Sequence, residues 1–231
     1  MNVSKLEQNL DAVRGRIAAA CERAGRDPAE VRLVAVTKTV NADTARALVE
    51  LGVTDIGENR VQEAARKREA LAGLAITWHM IGHLQTNKVK QALRVFDFIH
   101  SVDSLHVAEA LDRRCMLDER TAPVLVQVSV SGEESKYGVP AAVAIDEVRR
   151  IADLPTLEVE GLMTMAPFVE DPETVRPLFV RLRGLAAQIA TLDMPRVEMK
   201  HLSMGMTQDY EVAVEEGATL VRIGTALFRD V

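Results

Sequence analysis

Apolar positions recur with two different periods along this chain, and the alternation between those periods is its dominant pattern. Val3, Leu6, Leu10, Val13, Ile17 and Cys21 fall three and four apart and form one apolar stripe, the mark of an amphipathic helix. Ser4 and Glu7 have capping-box spacing at its start, and Gly25 suits its end. The segment 31–38, VRLVAVTK, is short, apolar and β-branched, the profile of a buried strand. Further strands are expected at 54–57, 76–82, 97–102, 122–130, 157–165, 196–203 and 219–225. Helices fall between them: Asn41 to about Leu51, from about Arg60, over 86–95, and after Ser104. Pro140 suits the first turn of a helix ending near Ala152, Asp171-Pro172 opens a long one, and a short helix precedes the strand at 219–225.

One opening helix followed by eight strands separated by seven helices predicts a parallel sheet covered by helices. Eight strands in 231 residues match an α/β fold of the closed TIM type, a single (β/α)8 barrel with an extra N-terminal helix. A doubly wound open sheet is the alternative, although eight strands would make it wide. No Pro/Gly/Ser-rich linker or low-complexity tract interrupts the pattern, so residues 1–231 read as one domain. Only six residues follow Thr225, too few for a covering helix of normal length, so the N-terminal helix is expected to fill that gap.

Composition narrows the function classes. Hydrophobic residues at 48% and charged residues at 27% are ordinary globular values and argue against disorder. Aromatics are only 3%, so the core is aliphatic. A net charge of −6 and no dense basic patch disfavour a nucleic-acid partner. Cys21 and Cys115 are too few for a disulfide framework or a four-cysteine zinc site and read as small buried thiols. No apolar run approaches the ~18 residues of a membrane span, and the N-terminus has no basic region followed by an apolar stretch. The expectation is a reduced, cytoplasmic chain without a membrane partner.

In such barrels the chemistry lies at the C-terminal ends of the strands. Lys38 ends the first strand, and period-two alternation puts Val34, Val36 and Lys38 on one inward face. A desolvated lysine has its charged form disfavoured, which is what an amine needs to form an imine with an aldehyde. A lysine that reaches out to solvent is the alternative. The second strand ends in Gly57-Glu58-Asn59. His79 and His83 are four apart, a metal-ligand spacing on a helix, but this segment reads as a strand and no Glu follows His79, so packing or loop-anchoring roles are preferred to a metal. His100, His106 and His201 are isolated in sequence. The last two strands end in Ser203-Met204-Gly205-Met206 and Arg222-Ile223-Gly224-Thr225. A hydroxyl beside a glycine suits a phosphate, because the hydroxyl donates and the missing side chain lets backbone N–H groups approach. With Lys38 across the barrel mouth, these pairs point to a phosphorylated aldehyde, of which pyridoxal 5'-phosphate (PLP) is the obvious one.

Six segments carry a resemblance: VAVTKT (34–39), IGENRVQE (56–63), WHMIGHLQTNKVK (78–90), IHSVDS (99–104), GLMTMAP (161–167) and LSMGMTQDYEVAVEEGATLVRIGTALF (202–228). In these the chain closely resembles the pyridoxal phosphate homeostasis proteins, whose barrel resembles the N-terminal domain of alanine racemase. The resemblance implies that Lys38 forms the PLP imine and that Asn59 lines the pocket. It implies that Ser203, the Met204-Gly205 backbone, Gly224 and Thr225 cradle the phosphate, and that Arg222 partners the pyridine nitrogen. A guanidinium has no acceptor, so Arg222 can only donate to an unprotonated nitrogen, which makes the cofactor a weak electron sink. The family pattern usually continues past the GTALF segment with Gly-Ala and a longer tail, whereas here Arg229-Asp230-Val231 follows. Tyr137, in the variable segment 131–139, is given no catalytic role.

The function implied is intracellular PLP homeostasis, with PLP held reversibly on the lysine, no dedicated turnover, apo PLP enzymes as partners and a monomeric state. The alternatives are a racemase-like PLP enzyme with weak activity and a phosphate-sugar aldolase using Lys38. Racemisation needs acid–base groups on both faces of the ring, and in the alanine-racemase-like architecture the second comes from a tyrosine of a further domain that this chain is not expected to contain. Tyr137 and Tyr210, the only tyrosines, have no supporting motif.

Overall fold

Eight parallel strands close on themselves in this computed structural model, which describes residues 2–131 and 137–231. They are β1 (Arg32–Val36), β2 (Asp55–Glu58), β3 (Thr77–Met80), β4 (Phe98–Val102), β5 (Ala122–Ser129), β7 (Leu157–Met163), β8 (Val197–Ser203) and β9 (Leu220–Ile223). The two-residue strand β6 (Val139–Pro140) is added on β5. The order around the barrel is β4-β3-β2-β1-β9-β8-β7-β5, and pairing of β4 with β5 closes it. Helices α2 (Ala42–Glu50), α3 (Val61–Ala70), α4 (Val89–Val95), α5 (Leu105–Leu117), α6 (Ala144–Ala152), α7 (Arg176–Ala190) and α8 (Tyr210–Glu215) connect successive barrel strands. They are preceded by α1 (Val3–Ala24) and followed by the four-residue α9 (Thr225–Phe228). The predicted barrel is therefore the observed one, including its seven connecting helices among the described residues.

Strand alternation sorts the core into two regions. Val34, Phe98, Leu125, Met163 and Leu220 form their own buried cluster inside the barrel, apart from the larger cluster between strands and helices. Barrel interiors are normally filled by layers of branched apolar side chains. Here His79, His100, Ser203 and Arg222 are buried as well, and their mutual contacts, given below, run through that interior. The stripe predicted on α1 is buried at Leu6, Leu10, Val13, Ile17 and Cys21. This helix packs against α8 and α9, the place where a last covering helix of normal length would lie. Cys21 and Cys115 are buried and unpaired with each other. No helix among the described residues is long and apolar enough to cross a membrane.

Three local expectations are corrected. The cap of α1 is Asn2, whose side chain accepts from the Lys5 amide at 3.1 Å, because the helix starts at Val3 and leaves Ser4 within its first turn. Pro140 belongs to β6, not to a helix; it lies at the margin of the sheet, where a missing N–H is tolerated, and α6 begins at Ala144. Strand β1 stops at Val36, so Lys38 sits in the turn beyond it and is exposed, not packed on an inward apolar face.

Candidate functional site

Four neighbouring strands, in the order β2-β1-β9-β8, bring most of the predicted residues to one edge of the barrel. Val36 pairs with Gly57 and Ala35 with Ile223. The Lys38 turn is therefore flanked by the segment leaving β2, with Asn59, and by the segment leaving β9, with Gly224 and Thr225. Ser203, the last residue of β8, follows around the barrel, and Arg222 lies within β9.

The Lys38 turn rests on a buried ion pair. Thr37 donates its amide to the Gly57 carbonyl at 3.1 Å and its hydroxyl to Glu58 Oε1 at 2.6 Å. Lys67, on α3, donates Nζ to that same Oε1 at 2.6 Å and also to the Thr37 carbonyl. The peptide immediately before Lys38 is thus fixed by a lysine–glutamate pair that burial removes almost wholly from water. Asn59 is half-buried. It is held by a close approach: a Cβ on Gly82 would stand 2.6 Å from the Asn59 carbonyl oxygen and 2.7 Å from its Cβ, so only glycine fits at the end of β3. Beyond β3 and β4, His83 Nδ1 meets Asp103 Oδ2 at 2.7 Å, and the His83 ring stacks on Tyr137 with centroids 4.0 Å apart. Residues 132–136 of the Tyr137 segment lie outside the described residues.

Arg222 is a second buried cation of the site, 3% exposed. Its Nη1 donates to the Ser203 carbonyl at 2.8 Å and to Ser203 Oγ at 2.5 Å, and its Nη2 donates to the Thr164 carbonyl at 2.8 Å. Among the described residues its Nε has no partner and no carboxylate touches it; burial pushes its pKa down to about 10, with the more distant Asp209 pulling the other way. The loop after β8 is tied down independently. Asp209 accepts from the Met206 amide at 2.6 Å, and Arg222 donates its amide to the Gly205 carbonyl at 3.0 Å. Gly205 has φ +90, and a Cβ there would come 2.5 Å from the Ala213 Cβ, so the loop can lie on α8 only with glycine.

These contacts divide the predicted phosphate cradle. Ser203 Oγ is occupied by Arg222 and by His100 Nδ1 at 2.9 Å, and the Met204 amide donates to the Leu220 carbonyl at 3.2 Å. Both residues are buried, whereas Gly224 is half-buried and Thr225 exposed. Tyr210 is buried between α8 and α1, with the Arg16 guanidinium carbon 5.3 Å from its ring centre, and not at the barrel mouth. Sequence reasoning missed Glu58, Lys67 and Asp209, and treated His79 and His100 as unconnected. A polar residue at an inward position of an otherwise apolar strand was the available signal for the histidines.

The fold and this polar edge place the chain in a known class. The family model of the alanine racemase N-terminal domain matches residues 8–230, and the chain belongs to that family. Within it, the chain is a member of the pyridoxal phosphate homeostasis proteins: it is 44% identical to the pyridoxal phosphate homeostasis protein of Aquifex aeolicus over 96% of both chains. A protein of unknown function from Bifidobacterium adolescentis superposes with a TM-score of 0.93 at 41% identity, covering 98% of this chain and 95% of that one. PipY of Synechococcus elongatus, solved with PLP bound, superposes with a TM-score of 0.85 at 35% identity, covering 96% of this chain and 99% of that one.

Proposed function

We propose that this chain, acting as one barrel domain in the cytoplasm, binds PLP reversibly on Lys38 and serves intracellular PLP homeostasis without dedicated catalytic turnover. The observation that carries the reading is the convergence of an exposed amine, Lys38, in the turn that leaves β1, and a buried cation with an unengaged donor, Arg222, on the adjacent strand β9. Those residues fit the group: it needs an amine for its aldehyde, a donor for its ring nitrogen and amides for its phosphate. When bound, PLP supplies an aldehyde that condenses with a lysine amine, with loss of one water.

The chain's own residues divide the work. The Lys67–Glu58 pair holds the peptide before Lys38, so the amine leaves the barrel from a fixed point. Asn59 lines the side toward β2. Arg222 offers Nε to the ring nitrogen and, having no acceptor, leaves that nitrogen unprotonated. The Gly205 loop, Gly224 and Thr225 receive the phosphate; Ser203 and Met204 contribute by fixing Arg222 and the loop, since their donors are already engaged. An unprotonated ring draws electrons weakly, which favours storage over turnover. The relatives' naming as homeostasis proteins and the PLP-bound PipY structure support the same reading. Its partners are PLP and apo PLP enzymes, and it works as a monomer.

Borohydride reduction of the PLP-loaded protein, followed by peptide mapping by mass spectrometry, tests the assignment. The reduced adduct is expected on Lys38 and absent in Lys38→Ala. An adduct that survives in Lys38→Ala overturns the residue, and robust turnover of a free amino acid, lost in Lys38→Ala, overturns the non-catalytic reading.

A further inference from the structure

Five side chains stand in series across the barrel. Asp55, the first residue of β2, meets His79 Nε2 at 2.8 Å. His79 Nδ1 meets His100 Nε2 at 2.9 Å, His100 Nδ1 meets Ser203 Oγ at 2.9 Å, and Ser203 Oγ meets Arg222 Nη1 at 2.5 Å. His79, His100 and Ser203 are all 0% exposed. At the far end Asp55 is also paired with Arg32, the first residue of β1, which reaches solvent.

We propose that Asp55, His79, His100 and Ser203 form a one-directional hydrogen-bond wire that holds the Arg222 guanidinium in place, which makes His79 and His100 positioning residues for its contact with the ring nitrogen of PLP. The ring-nitrogen clause rests on the function proposed above; the wire itself does not.

Both ends force the same direction. A guanidinium only donates, so Ser203 Oγ accepts from Arg222 and its single hydrogen goes to His100 Nδ1. His100 then carries its proton on Nε2 and donates to His79 Nδ1, and His79 donates from Nε2 to Asp55. From the other end, His79 and Arg32 hold the Asp55 carboxyl below its ordinary value despite burial, so it is an acceptor only. Burial pushes both histidines down, His100 well below its ordinary value, so each ring is neutral with one donor and one acceptor. The opposite direction would face Ser203 with two donors and leave its own hydrogen without a partner in the series. With every proton placed, each neutral link is polarised by the carboxylate behind it. The buried guanidinium, untouched by any carboxylate among the described residues, thereby receives an acceptor backed by negative charge.

Labelling the histidines with 15N and recording two-dimensional NMR of the wild-type protein, with and without PLP, reads the tautomers directly. Both rings are expected to carry the proton on Nε2 and none on Nδ1. A proton on Nδ1 of either ring, or a doubly protonated ring at neutral pH, overturns the wire. A second arm compares His100→Gln, which can accept from Ser203 and donate to His79, with His100→Leu, which can do neither. The leucine variant is expected to shift the absorption band of bound PLP and weaken its binding by about tenfold or more, and glutamine to restore both to within about threefold of wild type. A folded leucine variant with unchanged band and affinity, or a glutamine variant that melts like wild type yet binds as poorly as leucine, overturns the positioning role. Should the leucine variant not fold, Ser203→Ala cuts the same wire with a smaller change and is read the same way. If the wild-type protein takes up no PLP, the functional reading fails while the tautomers still decide the wire.

Discussion

Lys67 and Glu58 are buried together beneath the Lys38 turn, and each depends on the other. Their side chains are 8% and 0% exposed, the Nζ–Oε1 distance is 2.6 Å, and Glu58 Oε2 has no hydrogen-bond partner among the described residues. Removing one member leaves a charge buried without compensation, which costs about 3–5 kcal/mol, while removing both costs far less. Lys67→Met is therefore expected to lower the urea midpoint sharply, and Lys67→Met with Glu58→Gln to recover much of the loss. Of this arrangement the sequence disclosed only Lys38, as the polar end of an apolar run. Its exposure was one of two readings the sequence left open, and the choice between them depends on the strand stopping at Val36. Lys67 drew no reading from the sequence, because nothing in its neighbours shows that α3 turns it under the barrel edge. The pairing of His79 with His100 was hidden for a related reason, since it depends on which strands become neighbours.

At the scale of elements, α1 does more than cover the barrel. Asn9 on α1 donates its side-chain amide to the Leu227 carbonyl at 3.0 Å and to the Arg229 carbonyl at 2.8 Å. A side chain from the first helix thus satisfies carbonyls at the end of α9, which is too short to stabilise itself. Asn9→Ala is expected to cost about 1–2 kcal/mol in chemical denaturation, at roughly 1 kcal/mol per hydrogen bond. Backbone hydrogen exchange should show faster opening at the end of α9 than in β1. Elements were the most legible level. Periodicity located all eight barrel strands, and Asn41 and Ser104 cap where expected, whereas Asp171 caps a short 3-10 turn, Pro172–Val175, that leads into α7 at Arg176. The ends of β1, β3, β5, β7 and β9 were read too long, because apolar runs continue into turns whose limits are set by the loop contacts. The substitution of Asn2 for Ser4 as cap had no sequence signal strong enough to separate two equally suitable residues.

Across the whole molecule, buried histidines set the acid response. Burial pushes His79, His100 and His201 down, so the folded protein keeps them neutral where the unfolded chain protonates them. Below the unfolded value of about 6.5 the unfolded state binds more protons, so stability falls as pH falls. Each of the three adds up to about 1.4 kcal/mol per pH unit while the pH lies between its folded and unfolded values. Asp55 is lowered, so its contribution is present above the unfolded value of about 3.9 and is lost only as pH falls further. Urea midpoints are expected to decline from pH 7 to pH 5, more shallowly in His100→Gln; a flat profile would contradict neutral burial.

The seam where β1 meets β9 joins the first and last strands of the barrel. Lys38 is made early in synthesis, but Arg222 and Gly224 belong to the last strand and the segment leaving it, and they stand beside the Lys38 turn only once β9 is paired with β1 and β8. A nascent or nicked chain therefore displays the amine without the pocket. On the proposed assignment, tight retention of the aldehyde would certify that the ring of strands has shut, and the bound molecule would fasten the last strand to the first, like a clasp on a hoop.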